Sequence, residues 1–319
     1  MSKVSNNINV NLKDSNVGNI TKGIILILIN TALWGLAPWI IKQGLINIPA
    51  VVFLYFRYLI VTALFVLLYF KDLKKVASVL KNKKLVVSAF LFNFVTLFLY
   101  FEGLSRVTAL QGGILAGLAP LFVILPMVFT KQETLTLKEI IGISIMILGY
   151  VFILVPVSGS SFQFDLLGTS LILLGNVATA IAIIINKKYL KIEQKKAYEF
   201  VSYFLALIGF FVLTAILHPH NLNVFLPGNL ALLFSFPVIY VAIFASLIAF
   251  SLFNSATLYL EASEAISFSY AQPVFTALLA IILGHKQVDV VFVIGLILVT
   301  IGIIYNIIGI YNEHKQYNN

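Results

Sequence analysis

The chain runs to 319 residues, 61% of them hydrophobic and only 10% charged, where an ordinary soluble domain is about a quarter charged. No water-soluble fold of this length can hide so much apolar surface, so soluble classes are excluded and lipid is the solvent in which the chain folds. The net charge of +9 does not argue for a nucleic-acid partner, because almost none of it lies inside an apolar run. The absence of cysteine removes disulfides, thiolate nucleophiles and thiolate metal sites.

Residues 1–21 are polar and rich in asparagine and are expected to form a flexible cytoplasmic tail. The run from Gly23 to Ile41 is too long for a signal-peptide core and no small-residue cleavage site follows it, so it reads as a retained first span. Apolar runs of about 20 residues, enough to cross ~30 Å of hydrocarbon, then recur to give ten expected spans. They lie near 22–42, 49–70, 84–102, 107–130, 138–156, 166–187, 197–217, 231–256, 263–284 and 288–310, with 311–319 as a second cytoplasmic tail. With the N-terminus inside, the cytoplasmic segments hold Lys3, Lys13 and Lys22, six lysines at 71–84, Lys131 and Lys138, five lysines at 187–196, and Lys315. The opposite face has only Lys42, Arg106 and Lys286, and Arg57 lies within span two. That split puts both termini on the cytoplasmic side of a cell (inner) membrane.

The chain also repeats itself. GLSRVTALQGGILAGLAP, ending at Pro120, lies over ATLYLEASEAISFSYAQP, ending at Pro273, at an offset of 153 residues, and the register then places Gly142 on Gly295 and Gly149 on Gly302. At the front of each half an offset of 145 matches Gly23 with Gly168, Lys42 with Lys187 and Leu45 with Leu190. Five spans per half is an odd number, so the second half enters the membrane from the opposite side. The expected fold class is therefore all-α and polytopic, ten transmembrane helices in two inverted five-helix repeats, an arrangement characteristic of secondary transporters.

Several segments resemble a known family. ALWGLAPWIIK at 32–42, FRYLI at 56–60, LAPLFVILPMVFTKQETLT at 118–136 and the spaced Gly142 and Gly149 resemble the EamA-type repeat of the drug/metabolite transporter superfamily. The resemblance extends over essentially 22–310, as two repeats at 22–156 and 166–310. The second half departs from it, with Thr179 at the place of Trp34 and Lys286 at that of Glu133. The resemblance implies a central cavity formed by helices one to four and six to nine, helices five and ten at the periphery, and transport by alternating access.

Polar residues inside spans are costly in lipid and so mark candidate sites. On span one, Asn30 and Trp34 share a face just before Gly35 and Pro38, which could loosen the backbone into a gate; Trp34 could equally anchor the helix at an interface. Arg57 on span two either grips a substrate carboxylate or phosphate, or pairs with helix carbonyls or snorkels to an interface. The resembled family commonly has a basic residue here whatever its substrate, which favours the second reading. On span three Asn93, Thr96 and Tyr100 line one face. Its repeat partner, span eight, places Ser246 on the matching face with Asn254 beside it. These faces either line a cavity or hydrogen-bond between helices. Asn176 and Thr179 are the candidates on span six, and Ser267 and Tyr270 those on span nine. In span four, Gly113 and Gly117 form a small-residue face read as packing.

The chain has no Walker-type GxxxxGK[ST], HExxH or GxSxG motif and no paired carboxylates at mid-membrane, so an enzyme and an ATP-driven pump are both disfavoured. Glu102, Glu199, Glu261 and Glu264 fall near span ends, and a Glu102–Arg106 pair is the expected local use of the first. The four histidines sit in loops or the tail, so no metal site, proton pathway or cofactor is expected. The leading expectation is a secondary carrier that exports or exchanges amino acids or related metabolites. The alternatives are an uptake carrier for a nucleotide-like metabolite, or a receptor or scaffold without transport. The expected partners are the lipid bilayer and a small-molecule solute, with a homodimer left open.

Overall fold

The computed structural model describes residues 17–129, 137–154, 165–260, 265, 268–284 and 289–318. Regular structure among them is helical throughout. Helix α1 (Val17–Leu45) is continuous although Pro38 lies inside it, and α2 (Ala50–Tyr69) follows after a short turn. Helix α3 (Lys83–Arg106) contains a π-helical turn at Leu91–Val95. Helix α4 is interrupted at Leu118, between Ala109–Gly117 and Ala119–Phe129. Then come α5 (Leu137–Leu154), α6 (Leu166–Tyr189) and α7 (Lys195–Leu217). Helix α8 (Phe236–Ala256) contains a second π-helical turn at Ile243–Ile248. Helix α9 (Phe268–Ile282) precedes α10 (Val290–Asn318).

Seven of these, α1 to α4 and α6 to α8, are long and apolar enough to cross a membrane, and α5, α9 and α10 hold shorter apolar stretches, Ile140–Ile153, Phe268–Ile282 and Val290–Tyr305. The expected span 231–256 is in fact two pieces, a short helix Pro227–Leu233 and then α8, which starts at Ser235 as N-cap with Pro237 in its first turn. The run Leu230–Phe236, apolar except for Ser235, hides that boundary, while proline in a first turn is an ordinary helix start. Glu102 and Arg106 share the last turn of α3, yet neither makes an ion pair among the described residues; Lys42 instead caps that turn, donating to the Leu104 carbonyl at 2.9 Å and the Ser105 carbonyl at 2.7 Å. A cation at a helix C-terminus is where the macrodipole favours it.

The chain divides into two compact units, and neither is a sequence half. Unit 1 comprises residues 1–39, 109–164 and 248–319, and unit 2 comprises 40–108 and 165–247.

In unit 1, α5 and α10 meet through glycines at repeat-equivalent positions. A Cβ on Gly149 would lie 2.8 Å from the Gly295 carbonyl, one on Gly295 2.8 Å from the Gly149 carbonyl, and one on Gly302 2.7 Å from the Gly142 carbonyl. Backbones this close exclude any side chain, which is how membrane helices gain packing where lipid removes the hydrophobic drive. Gly113 and Gly117 of α4 are the packing face expected of them: a Cβ on the first would lie 2.6 Å from the Thr276 side chain and one on the second 2.5 Å from Pro273. The residues at these crossings rise along one helix as they fall along the other, so α4 with α9 and α5 with α10 are antiparallel pairs.

In unit 2, α2 and α7 form an antiparallel aromatic seam, with Tyr55 on Phe211, Tyr58 stacked on Phe210 at 5.6 Å and Phe65 edge-on to Tyr203 at 5.5 Å. Helices α3 and α6 approach at Gly103, Gly168 and Gly175. The outward residues are apolar, Leu67 and Ile282 each 77% exposed, a surface suited to lipid rather than water.

Candidate functional site

Unit 2 gathers seven of the expected site residues: Arg57, Asn93, Thr96, Tyr100, Asn176, Thr179 and Ser246. Arg57, 4% exposed, donates through Nε to Ser246 Oγ at 3.1 Å. Its guanidinium lies 5.1 Å from the Tyr58 ring centroid and 6.0 Å from that of Phe101. These partners are neutral, and no carboxylate is among them within the described residues. Ser246 passes its own proton to the Val241 carbonyl at 2.6 Å.

The next residue on α2 addresses the equivalent position of the other half. Tyr58 donates to Asn93, with its hydroxyl 2.7 Å from Oδ1 and 3.1 Å from the backbone carbonyl. Asn93 Nδ2 donates to Ser202 Oγ at 2.5 Å, and Ser202 donates to the Ala89 carbonyl at 2.8 Å. Asn93 and Ser246 are 153 residues apart, the repeat offset, and each sits in a π-helical turn. Such a turn carries an extra residue and disturbs the regular carbonyl pairing, and π-turns recur at functional positions. At both turns a side-chain hydroxyl meets a backbone carbonyl, Ser246 that of Val241 just before its turn and Tyr58 that of Asn93 within the other.

One helical turn on, Thr96 and Thr179 hydroxyls are 3.2 Å apart, and Thr179 also donates to the Gly175 carbonyl at 3.1 Å. Tyr100 is half-buried with its ring edge-on to Phe101. Asn176 is buried beside them in sequence on α6. The sequence reading missed Tyr58 and Ser202; Ser202 is a lone polar residue on an apolar stretch of α7 and produces no periodic signal.

Unit 1 holds Asn30, Trp34, Asn254 and Tyr270. Asn30 is fully buried; its Nδ2 donates to the Ala249 carbonyl at 2.8 Å, while Oδ1 has no donor. Trp34 packs edge-on to Phe250 at 5.4 Å and stacks on Phe253 at 6.2 Å, an aromatic cluster inside the unit. Beyond it, Thr276 donates to the Gly35 carbonyl at 2.6 Å and Trp39 Nε1 to the Thr276 carbonyl at 2.8 Å, tying α1 to α9 on either side of Pro38. Asn254 lies half-buried on α8, its carbonyl taking the Thr257 hydroxyl. Tyr270 is buried, its carbonyl accepting from the Tyr150 hydroxyl and its own hydroxyl without a partner. Ser267 lies outside the described residues.

Among the described residues no group of three or more His, Cys, Asp or Glu could hold a metal ion. What the two clusters offer is recognition: one buried cation, several hydroxyls and amides, and aromatic faces.

Sixteen chains of solved structures match this one. One crystal structure, 18% identical, covers 93% of this chain and 99% of its own length at a TM-score of 0.67, a likeness of fold. No curated protein matches the chain. The family model of the EamA-like transporter family matches twice, over residues 21–155 and 166–308. With both halves so covered, the chain belongs to the EamA-like transporter family, and is an integral multi-pass membrane transport protein of the drug/metabolite transporter superfamily.

Proposed function

We propose that the chain crosses the cell membrane ten times, as inverted five-helix halves at 22–156 and 166–310 with both termini cytoplasmic. By this reading it is a secondary carrier that moves a small carboxylate-bearing solute, an amino acid or related metabolite, in the export or exchange direction by alternating access. The observation that carries the reading is Arg57. A cation held within a span costs on the order of 2.5–3.5 kcal/mol even on lenient insertion scales, and here it is braced by one serine and two aromatic rings rather than neutralised. Fixing Nε leaves the Nη edge to take a carboxylate, the bidentate geometry in which arginine excels. Thr96, Tyr100, Asn176 and Thr179 supply further solute contacts in unit 2, and Asn30 Oδ1, Trp34, Asn254, Ser267 and Tyr270 those proposed in unit 1. Asn93, both ends of whose amide are engaged, holds the frame.

The antiparallel pairing of equivalent helices supports the inverted arrangement, and that arrangement supports alternating access over a receptor or scaffold role. A phosphate would suit the same guanidinium, so uptake of a nucleotide-like metabolite is the second reading.

The test is counterflow of labelled solute in proteoliposomes of the purified protein, preloaded in turn with amino acids, amines and nucleotides. Saturable exchange of a carboxylate solute, lost in Arg57→Met and weakened in Arg57→Lys, is expected. Exchange of nucleotides alone would favour the second reading, and no saturable flux with any solute would refute both.

A further inference from the structure

The charge of this protein is distributed unevenly. Segments 71–84 and 187–196 hold eleven lysines and two carboxylates, Asp72 and Glu193, so they account for the whole net charge of +9 and the rest of the chain is neutral. Setting topology needs only a few basic residues per loop. The two segments also pack together in unit 2: Gln194 Nε2 donates to Ser78 Oγ at 2.9 Å, and Val79, Leu85, Ala197 and Tyr198 share one buried cluster.

At the junction, two ammonium groups address one phenol. Lys84 Nζ donates to the Tyr189 hydroxyl at 2.6 Å and lies 4.4 Å from the ring centroid, and Lys188 Nζ lies 5.6 Å from the same centroid. The two nitrogens are therefore within about 10 Å of each other. One ring face attracts one cation; a second at this distance adds repulsion, and neither lysine has a carboxylate partner among the described residues. The Tyr189 oxygen accepts from Lys84, which leaves its own proton to donate. About one turn along the same helices, Ser88 and Asn186 hydrogen-bond to each other and to Tyr198. Two ammonium groups and one hydroxyl donor thus gather around a single phenol ring. Val87, on the same helix as Lys84, and Leu80 and Ile192, within four residues of Lys84 and Tyr189 in the chain, are each more than half exposed, apolar surface close to a polar head.

From this convergence we propose that Lys84, Lys188 and Tyr189 form a binding site for the headgroup phosphate of an anionic phospholipid, its acyl chains lying along the exposed apolar flank. The site is separate from the solute-binding residues and does not depend on what the carrier moves. Phosphate supplies acceptor oxygens for these donors, and charge complementarity between a basic cluster and anionic lipid contributes about fivefold in affinity per lysine.

The experiment is thermal unfolding of the full-length protein in neutral detergent, titrated separately with phosphatidylglycerol, phosphatidylcholine and inorganic phosphate. Phosphatidylglycerol is expected to raise the unfolding temperature at low molar ratio, and the other two are not. In Lys84→Gln/Lys188→Gln the phosphatidylglycerol needed for half the shift should rise roughly thirtyfold, two lysines' worth. Lys84→Arg/Lys188→Arg should keep the response, which separates loss of binding from loss of fold. Lys71→Gln/Lys74→Gln removes equal charge elsewhere in the same basic region and should change the requirement by much less than Lys84→Gln/Lys188→Gln does. Equal losses in the two glutamine doubles would reduce the site to diffuse charge. An equal shift from inorganic phosphate would make it a free-anion site, and no shift with phosphatidylglycerol would remove it; each result overturns the proposal.

Discussion

Replacing Ser246 by alanine separates orientation of the buried cation from support of the helix. Ser246 is fully buried and makes two hydrogen bonds, accepting from Arg57 Nε at 3.1 Å and donating to Val241 O at 2.6 Å. In water-soluble interiors a stranded carbonyl plus a lost charged bond would cost about 2–5 kcal/mol. Measured interhelical hydrogen bonds in membranes average nearer 0.6 kcal/mol, with a maximum of about 1.7, because the unfolded chain in lipid also finds partners. The lower scale applies here, so unfolding in detergent should show a loss of about 1–2 kcal/mol. The effect on transport is distinct: a guanidinium free to rotate no longer presents its Nη edge, and losing one bond's worth of orientation, about 1.4 kcal/mol, raises KM about tenfold. Counterflow with a carboxylate solute should therefore show higher KM with little change in Vmax, and Ser246→Thr should restore it. A stability loss of the expected size with unaltered KM would refute the orienting role and leave Ser246 as a brace of the π-turn.

A double-mutant cycle of Tyr58→Phe and Asn93→Ala should give a coupling energy of about 0.6–1.7 kcal/mol in unfolding experiments, and strict additivity would mean that the Tyr58–Asn93 bond contributes nothing. Gly149→Val inserts a side chain 2.7 Å from Val299 and 2.8 Å from the Gly295 carbonyl and should destabilise by about 1–3 kcal/mol or more, whereas Gly309→Ala, with nothing within 4 Å, should be neutral or stabilising by up to about 1 kcal/mol; equal effects in detergent unfolding would dissolve the glycine contact. Lys42→Met removes the donors to the Leu104 and Ser105 carbonyls and should lower stability by about 0.3–1 kcal/mol, a loss that Lys42→Arg, assayed alongside, should largely recover.

What the sequence made legible follows from physics that acts locally or through composition. Run length and lysine placement depend on lipid thickness and charge alone. The matched Gly142, Gly149, Gly295 and Gly302 could be read because close backbone approach tolerates no other residue, and the same four atomless positions meet in the structure. The start of α8 was not legible, since Pro237 sits inside a run apolar on both sides and turn chemistry is masked by hydropathy. Nor was the tie between α1 and α9 beside Pro38, made by Thr276, 241 residues from its acceptor Gly35. The role of Asn93 was half legible. A polar residue at mid-span must have partners, but nothing local says whether they are solute or protein, and both ends of its amide are taken by Tyr58 and Ser202. The π-turns left no trace at all, because neither contains glycine or proline.

Those turns bear on how two copies of one module came to do different work. At equivalent positions, 153 residues apart, the first half has Asn93 and the second Ser246, and α2 meets them with adjacent side chains, Tyr58 and Arg57. An amide with donor and acceptor can saturate itself between a tyrosine and a serine, so the Asn93 turn closes into a neutral, fully engaged knot. A lone hydroxyl has one proton to give and spends it on Val241, so the Ser246 turn can only accept from Arg57. It orients the cation without neutralising it. The difference between an amide and a lone hydroxyl at equivalent places in the two π-turns therefore makes one turn a structural anchor and the other an orienting support for Arg57.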